Sequence, residues 1–147
     1  MMDRRAILSL LAAIGMTPIT RVWAKPSDAE AAIKDLVGNL PRQTGRIQLE
    51  LAPLVENGNL VPIKCFVASP MTQADHVKAI HLIAEANPLP NIVSCYLSPL
   101  SGRAAFETRI RLADSQRVWA IAQMSDGSVW QTSVDTLVTL SACTEMI

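Results

Sequence analysis

Residues 104–113, AAFETRIRLA, alternate between apolar and charged side chains. Four side chains fall on one face of an extended strand: Phe106, Thr108, Ile110 and Leu112. The opposite face is charged: Glu107, Arg109 and Arg111. We favour a solvated sheet face for the two arginines, with partner binding as the alternative. The stretch predicts a half-buried β-strand.

Similar runs extend outward from this strand in both directions. With 104–112, the candidate strands are 46–52, 60–68, 77–85, 91–98, 117–124 and 128–139. Asn57-Gly58 and Asp126-Gly127 are dipeptides that accept the positive φ of tight hairpin turns. Seven short strands separated by turn residues predict an all-β, immunoglobulin-like β-sandwich. No Trp lies between Cys65 and Cys95, so the antibody-domain signature is missing.

A short helix should precede the strands. SDAE, residues 27–30, fits a capping box in which Ser27 and Glu30 satisfy backbone N–H groups at the helix start. Apolar residues then recur at helical spacing up to Val37, and Gly38 can end the helix. Residues 39–45 are predicted to form a linker.

The first 24 residues, MMDRRAILSLLAAIGMTPITRVWA, are typical of an export signal. Arg4-Arg5 loosely resembles a twin-arginine signal, and the sequence up to Ala24 ends in a small residue suited to cleavage. The apolar run from Ala6 to Met16 is shorter than the roughly 18 residues that a membrane span needs. We therefore expect a cleaved, exported protein with no membrane anchor, in a compartment where disulfides can persist.

Composition restricts the functional classes further. The chain has 147 residues, enough for one domain, and half of them are hydrophobic. Its formal net charge is zero, and no basic patch indicates a nucleic-acid partner. His76 and His81 have no further ligand at metal-binding spacing, so we expect surface or hydrogen-bonded core histidines and no metal site. No catalytic motif is visible, which predicts a protein that is not an enzyme.

Three cysteines remain, and two of them lie in predicted strands. Cys65 shares a strand face with Ile63 and Val67, and Cys95 shares one with Val93 and Leu97. Both should point towards the core. We favour two buried thiols, with a disulfide between them as the alternative, because sequence does not show whether the two strands face each other.

Cys143 is different because it follows the last predicted strand, four residues before the end of the sequence. Its neighbours Ser141, Ala142 and Thr144 are small and should not bury it. An unpaired cysteine in an exported chain indicates intermolecular pairing or a reactive thiol. On spacing alone, an incidental terminal cysteine fits as well as a functional one.

Three stretches of the sequence resemble the SoxY family of sulfur carriers. They are 56–72 (ENGNLVPIKCFVASPMT), 76–99 (HVKAIHLIAEANPLPNIVSCYLSP) and 108–130 (TRIRLADSQRVWAIAQMSDGSVW). The resemblance implies a periplasmic carrier with an immunoglobulin-like sandwich that pairs with a SoxZ-like subunit. It also implies that the C-terminal Cys143 holds sulfur intermediates covalently for sulfur-oxidation enzymes, with no separate cofactor.

The resemblance also divides the chain. It implies an export signal over residues 1–24, a SoxY-like sandwich with its N-terminal helix over 25–140, and a cysteine arm over 141–147. The family arm is Gly-Gly-Cys-Gly-Gly, whereas this arm has Ser141, Ala142, Thr144 and Glu145 around Cys143. It is more similar to SoxY-related proteins with an Ala-Ala-Cys-Ile-Glu arm.

The changed arm has physical consequences for the carried group. Glycines would give the arm conformational freedom, which Ser, Ala, Thr and Glu restrict. Glu145 and the terminal carboxylate place negative charge near the Cys143 thiol, which should raise its pKa and repel an anionic adduct. We therefore expect a different sulfur species or different enzymes. The alternative function is a non-catalytic periplasmic interaction module in which Cys143 is incidental or forms a disulfide.

Overall fold

The computed structural model describes residues 26–142, so the predicted export signal and Cys143 lie outside the described residues. The described part contains one α-helix, α1, over Pro26–Val37. Nine strands follow: β1 (Arg42–Gln43), β2 (Ile47–Glu50), β3 (Leu54–Asn57), β4 (Val61–Val67), β5 (Val77–Ala84), β6 (Asn91–Tyr96), β7 (Ala105–Ile110), β8 (Gln116–Met124) and β9 (Val129–Leu140).

The strands form two sheets. The larger sheet has the order β1-β9-β8-β5-β6, and β3 also pairs with β9. The smaller sheet has the order β2-β4-β7. The long strand β9 runs antiparallel to β8 and parallel to the short strands β1 and β3. This arrangement confirms the predicted all-β sandwich.

The main core lies between the two sheets, because alternate side chains of facing strands point inward. Ile63 on β4 and Leu82 on β5 are both fully buried in this layer. The stretch that predicts the fold behaves as expected, since Ile110 and Leu112 are buried while Arg109 and Arg111 are exposed.

Helix α1 covers the other face of the larger sheet. Its buried residues pack with three sheet residues in a second apolar cluster: Ala29, Ile33, Val37, Ile83, Ile121 and Val129. The Gln123 side chain also donates a hydrogen bond to the Leu36 carbonyl at 2.8 Å. Glu30, assigned to a capping box, accepts a hydrogen bond from Arg42 at 2.7 Å, and the Ser27 side chain lies outside the description.

Seven of the nine strands match the seven predicted runs, with ends shifted by a few residues. The sequence did not predict β1 and β3, which have two and four residues. Both are too short to show alternation, and β9 fixes them by parallel pairing. Within residues 26–142, no helix is long and apolar enough to cross a membrane.

Candidate functional site

The predicted functional residue, Cys143, follows directly after the last described residue, so the site is built from the end of β9. The last residues of this strand pair with β3, and Asn57 is in register with Leu140. The Gly58 N–H donates a hydrogen bond to the Leu140 carbonyl at 2.7 Å. The end of β9 is therefore tied to the segment that joins β3 to β4.

Gly58 lies where three backbone segments meet. A Cβ added at this position would lie 2.4 Å from the Leu112 carbonyl oxygen, 3.0 Å from the Ala142 nitrogen and 3.0 Å from a Val138 methyl group. Since real Cβ contacts are not as short as 2.4 Å, only glycine lets these segments approach so closely.

The hairpin predicted at Asn57-Gly58 is wrong. Gly58 is not among the positive-φ glycines of the described residues, and β3 pairs with β9 instead of β4. The glycine is needed for close packing and not for a left-handed turn. The hairpin turn predicted at Asp126-Gly127 is confirmed, because Gly127 has φ +86° in the turn that joins the antiparallel strands β8 and β9.

Ala142 forms the root of the predicted arm and is held against the sandwich. Ala142 is only 7% exposed, and its N–H donates to the Leu112 carbonyl at 3.0 Å. Leu112 in turn donates its N–H to the Gly58 carbonyl at 2.9 Å. The sequence assigns Ala142 to the arm and makes no prediction for its burial. The structure buries Ala142, whereas Ser141 is exposed.

The loop that holds Leu112 is itself fixed by Asn87, which is 5% exposed. The Asn87 amide donates to the Arg111 carbonyl at 2.8 Å, and its oxygen accepts from the Ala113 N–H at 3.0 Å. The buried Gln116 side chain donates to the same oxygen at 3.0 Å. In sequence, Asn87 resembles an ordinary turn residue because it opens NPLPN, and nothing there indicates that its amide is buried.

The residues beyond the root are outside the description. The assignments of Cys143 as attachment point and of Thr144 and Glu145 as arm therefore stay predictions from the sequence. What the structure adds is the fixed point from which they start, because Cys143 is bonded directly to Ala142.

Four large apolar side chains stay exposed on the strands and the connection that lead to this root. They are Leu54 on β3, Leu60 between β3 and β4, and Leu137 and Leu140 on β9. Leu54 and Leu137 are register partners on neighbouring strands, and both are more than half exposed. The end of β9 therefore leaves apolar side chains exposed beside the root.

Cys65 and Cys95 are both free thiols in the structure. Cys65 is buried in the core, and burial, followed by the nearby charge of Cys95, raises the pKa of its thiol to about 12. Cys95 is only partly buried. The prediction of two buried thiols is confirmed for Cys65, whereas Cys95 is only half-buried.

Each of the two histidine rings has a hydrogen-bonding contact with a neighbouring group. His81 is buried, its Nδ1 lies 2.8 Å from the Ser94 hydroxyl, and Tyr96 meets its ring edge-on. Burial lowers the pKa of His81 below its ordinary value. His76 contacts the Thr72 carbonyl through Nδ1 at 3.1 Å. No group of three or more His, Cys, Asp or Glu side chains in the described part of the chain is arranged to hold a metal ion.

The family model described as "Sulfur oxidation protein SoxY" matches residues 33–143, which is more than half of the chain and includes Cys143. A search of curated proteins gave no match.

Among solved structures, the chain is similar to the sulfur carrier protein SoxY from Chlorobium limicola f thiosulfatophilum. The TM-score is 0.66 at 24% identity, over 78% of this chain and 98% of that one. It is also similar to the superoxide reductase (neelaredoxin) from Ignicoccus hospitalis, with a TM-score of 0.56 at 16% identity over 83% and 99% of the two chains. A putative superoxide reductase from Thermotoga maritima gives 0.55 at 16%, over 67% and 87%. At these identities the likeness shows a shared fold.

Proposed function

The chain belongs to the SoxY family of sulfur oxidation proteins, and on that basis we propose that it is a sulfur carrier that holds sulfur intermediates covalently on Cys143. The observation that carries the proposal is the placement of the arm root. Ala142 is fixed to the sandwich, and the next residue in the chain is a cysteine that lies within the family match. The sandwich then provides the surface that partner enzymes recognise.

The chemistry needs only a thiol and a partner enzyme. A cysteine thiol reacts as its thiolate, so the thiol proton goes to solvent before the S–S bond forms. Joining a thiolate to an anionic sulfur compound such as thiosulfate forms one S–S bond and releases two electrons, which an electron-accepting enzyme must take. The carrier contributes the nucleophile and its position, and the enzyme contributes the redox centre.

The charge of the arm favours a narrower set of partners. Glu145 lies two residues from Cys143 in sequence. Negative charge near a thiol raises its pKa, and it repels an anionic adduct. We therefore propose that the loading enzymes supply positive charge at their entrances, or that they load a sulfur species other than thiosulfate.

A second subunit completes the proposal. The exposed leucines of β3 and β9, and the outer edge of β3, which pairs with no further strand within residues 26–142, are surfaces that a second chain would cover. We propose a heterodimer with a SoxZ-like protein in the periplasm, formed after an export signal is removed near Lys25. The protein alone should self-associate. Sedimentation that shows a stable monomer, together with no complex when a SoxZ-like protein is added, would contradict this partner assignment.

Mass spectrometry of the native protein tests the carrier function directly. Protein isolated from cells that oxidise sulfur compounds should carry a sulfur-bearing adduct on Cys143, and none on Cys65 or Cys95. In the same cells, Cys143→Ser should abolish sulfur oxidation without changing the fold. A bare Cys143 thiol under every growth condition, with full activity of the Cys143→Ser protein, would favour the alternative of an interaction module without chemistry.

A further inference from the structure

The root of the arm is held by a closed set of backbone contacts. The Gly58 N–H donates to Leu140, the Leu112 N–H donates to Gly58, and the Ala142 N–H donates to Leu112. The distances are 2.7, 2.9 and 3.0 Å. These bonds join the strand before the arm, the loop after β7 and the root itself. The approach of Leu112 and Ala142 depends on Gly58 having no side chain, because a Cβ there would lie 2.4 Å from the Leu112 oxygen and 3.0 Å from the Ala142 nitrogen.

We infer that Gly58 is a positioning residue for Cys143. Because it has no side chain, the backbone of Leu112 and Ala142 can pack against it, and Ala142 stays docked. The reactive cysteine is the next residue, so only one peptide unit separates it from the docked root, and we call this unit the tether. The geometry rests on described residues alone, while its meaning for sulfur delivery rests on the proposed function.

A short tether limits where the thiol can react. Consecutive Cα atoms are about 3.8 Å apart, so the Cα of Cys143 cannot lie farther than that from the Cα of Ala142. If the chain were instead free after Leu140, three extended residues would let this Cα reach roughly 10 Å from the end of the strand. While Ala142 is docked, an enzyme must therefore bring its reacting atoms to within a few ångströms of the sandwich surface.

This limit specifies the partner's entrance. An enzyme that comes so close must contact the surface around the root, where Leu60 and Leu140 are each 59% exposed. The matching surface on the enzyme is a shallow opening with an apolar rim, and not a long narrow channel. A glycine-rich arm would have no such requirement, because it could extend into a channel.

We call the three hydrogen bonds among Gly58, Leu112, Leu140 and Ala142 the clamp. Hydrogen exchange of the full mature protein tests whether the clamp holds Ala142. The Ala142 amide should be protected in the unmodified protein, because a hydrogen-bonded and buried amide exchanges only when its segment opens. Gly58→Ala places a Cβ 2.4 Å from the Leu112 oxygen, so the loop must move and Ala142 should lose protection by at least about tenfold. The control is Gly102→Ala, which strains the backbone at a positive φ of 71° but meets nothing within 4 Å, so Ala142 should keep its protection.

A second measurement keeps the test valid if Gly58→Ala fails to fold. A spin label on Cys143, in a Cys95→Ser background, should have a broad spectrum in the parent protein. Ala142→Pro removes the N–H that donates to Leu112 without adding a side chain at position 58. The spectrum should narrow in this variant, and it should stay broad in Ser141→Ala, where the altered residue is exposed.

Two outcomes would overturn the inference. One is an Ala142 amide that exchanges at the unprotected rate in the parent protein. The other is a folded Gly58→Ala or Ala142→Pro protein whose arm root is as ordered as in the parent. A functional Cys143→Ser protein with an intact clamp would instead remove the carrier proposal and leave the clamp standing.

Discussion

Cys65 and Cys95 lie on strands of opposite sheets, and both side chains point towards the space between them. Cys95 is in register with the fully buried Ile80, and register partners share a face of the sheet. Cys65 is 2% exposed on β4. The charge of Cys95 contributes, after burial, to the raised pKa of Cys65, which indicates that the two thiols are close.

The two thiols should differ in reactivity. A bulky maleimide should not modify Cys65 in the folded protein at a pH of about 8, because the thiol is buried and its pKa is raised to about 12. Cys95 is partly exposed and should react slowly. Peptide mass mapping after timed labelling measures both, with denatured protein as the control. Rapid labelling of Cys65 under native conditions would contradict the assignment of its side chain to the core. Without a disulfide between Cys65 and Cys95, a non-reducing digest should give separate peptides.

Protonation of His81 should make the protein less stable at low pH. Its folded-state pKa is lowered by burial, so at a pH between that value and the ordinary value of about 6.5 the unfolded chain binds more protons. The contribution of His81 to the free energy of unfolding should therefore be constant above about pH 7 and fall as the pH drops through about 6.5. Urea unfolding at a series of pH values measures this slope.

The matched variants for this effect are His81→Phe and His76→Phe. The first keeps an aromatic ring against Tyr96 but removes the titrating group, so the slope below about pH 6.5 should be smaller. The second leaves His81 in place, so the slope that His81 contributes should remain. An unchanged slope in His81→Phe would assign the pH dependence to other groups.

Asn87→Ala should destabilise the protein by about 2–4 kcal/mol, because it leaves buried partners without a hydrogen bond. The Arg111 carbonyl, the Ala113 N–H and the Gln116 amide all lose the same side chain. Chemical denaturation measures the change. Asn91→Ala is the control, since Asn91 is exposed and bonds Ser94, and it should cost less than about 1 kcal/mol. Equal effects of the two variants would contradict the role of Asn87.

The sequence predicted what depends on local pattern and did not predict what depends on distant backbone. Alternation in 104–113 placed Ile110 and Leu112 in the core, because side-chain direction repeats every two residues in any strand. The helix over Pro26–Val37 followed equally from its periodic apolar residues. Such features need no knowledge of the partner strand.

The clamp at the arm root depends on distant backbone, so no local pattern predicts it. Gly58 contacts Leu112 and Ala142, which are 54 and 84 positions away in sequence. The dipeptide Asn57-Gly58 has the composition of a hairpin turn, and only the parallel pairing of β3 with β9 shows that it serves close packing instead. The burial of Ala142 was missed for the same reason, since a small residue near a terminus has no pattern that predicts a contact.

Glu145→Gln should increase the rate at which Cys143 is alkylated near neutral pH. Removing a negative charge near the thiol lowers its pKa and raises the thiolate fraction. The increase should be small, on the order of twofold, if the arm is hydrated and screened by salt. Iodoacetamide kinetics at low and high salt measure it, and Glu107→Gln on the small sheet is the control. A rate that does not change at low salt would contradict the proposed effect of the arm charge.

Exchanging the arm tests charge and tether length separately. One variant converts residues 141–145 to Gly-Gly-Cys-Gly-Gly, which removes Glu145 and also the Ala142 side chain that is buried at the root. A second variant changes only Thr144-Glu145 to Gly-Gly and keeps Ala142 docked.

If the sulfur species is excluded by charge alone, both variants should be loaded with thiosulfate faster than the natural arm by enzymes that act on glycine-rich arms. If docking of the root also limits access, the full exchange should be loaded faster than the partial one. Glycines at positions 141 and 142 keep the backbone N–H that donates to Leu112 but restrict the backbone less and remove the Ala142 methyl group, so the root should undock more often. Loading is measured as the mass of the thiosulfonate adduct on Cys143 over time, with Cys143→Ser as the blank. A natural arm that is loaded as fast as both variants would show that neither the charge nor the clamp selects the partner enzymes.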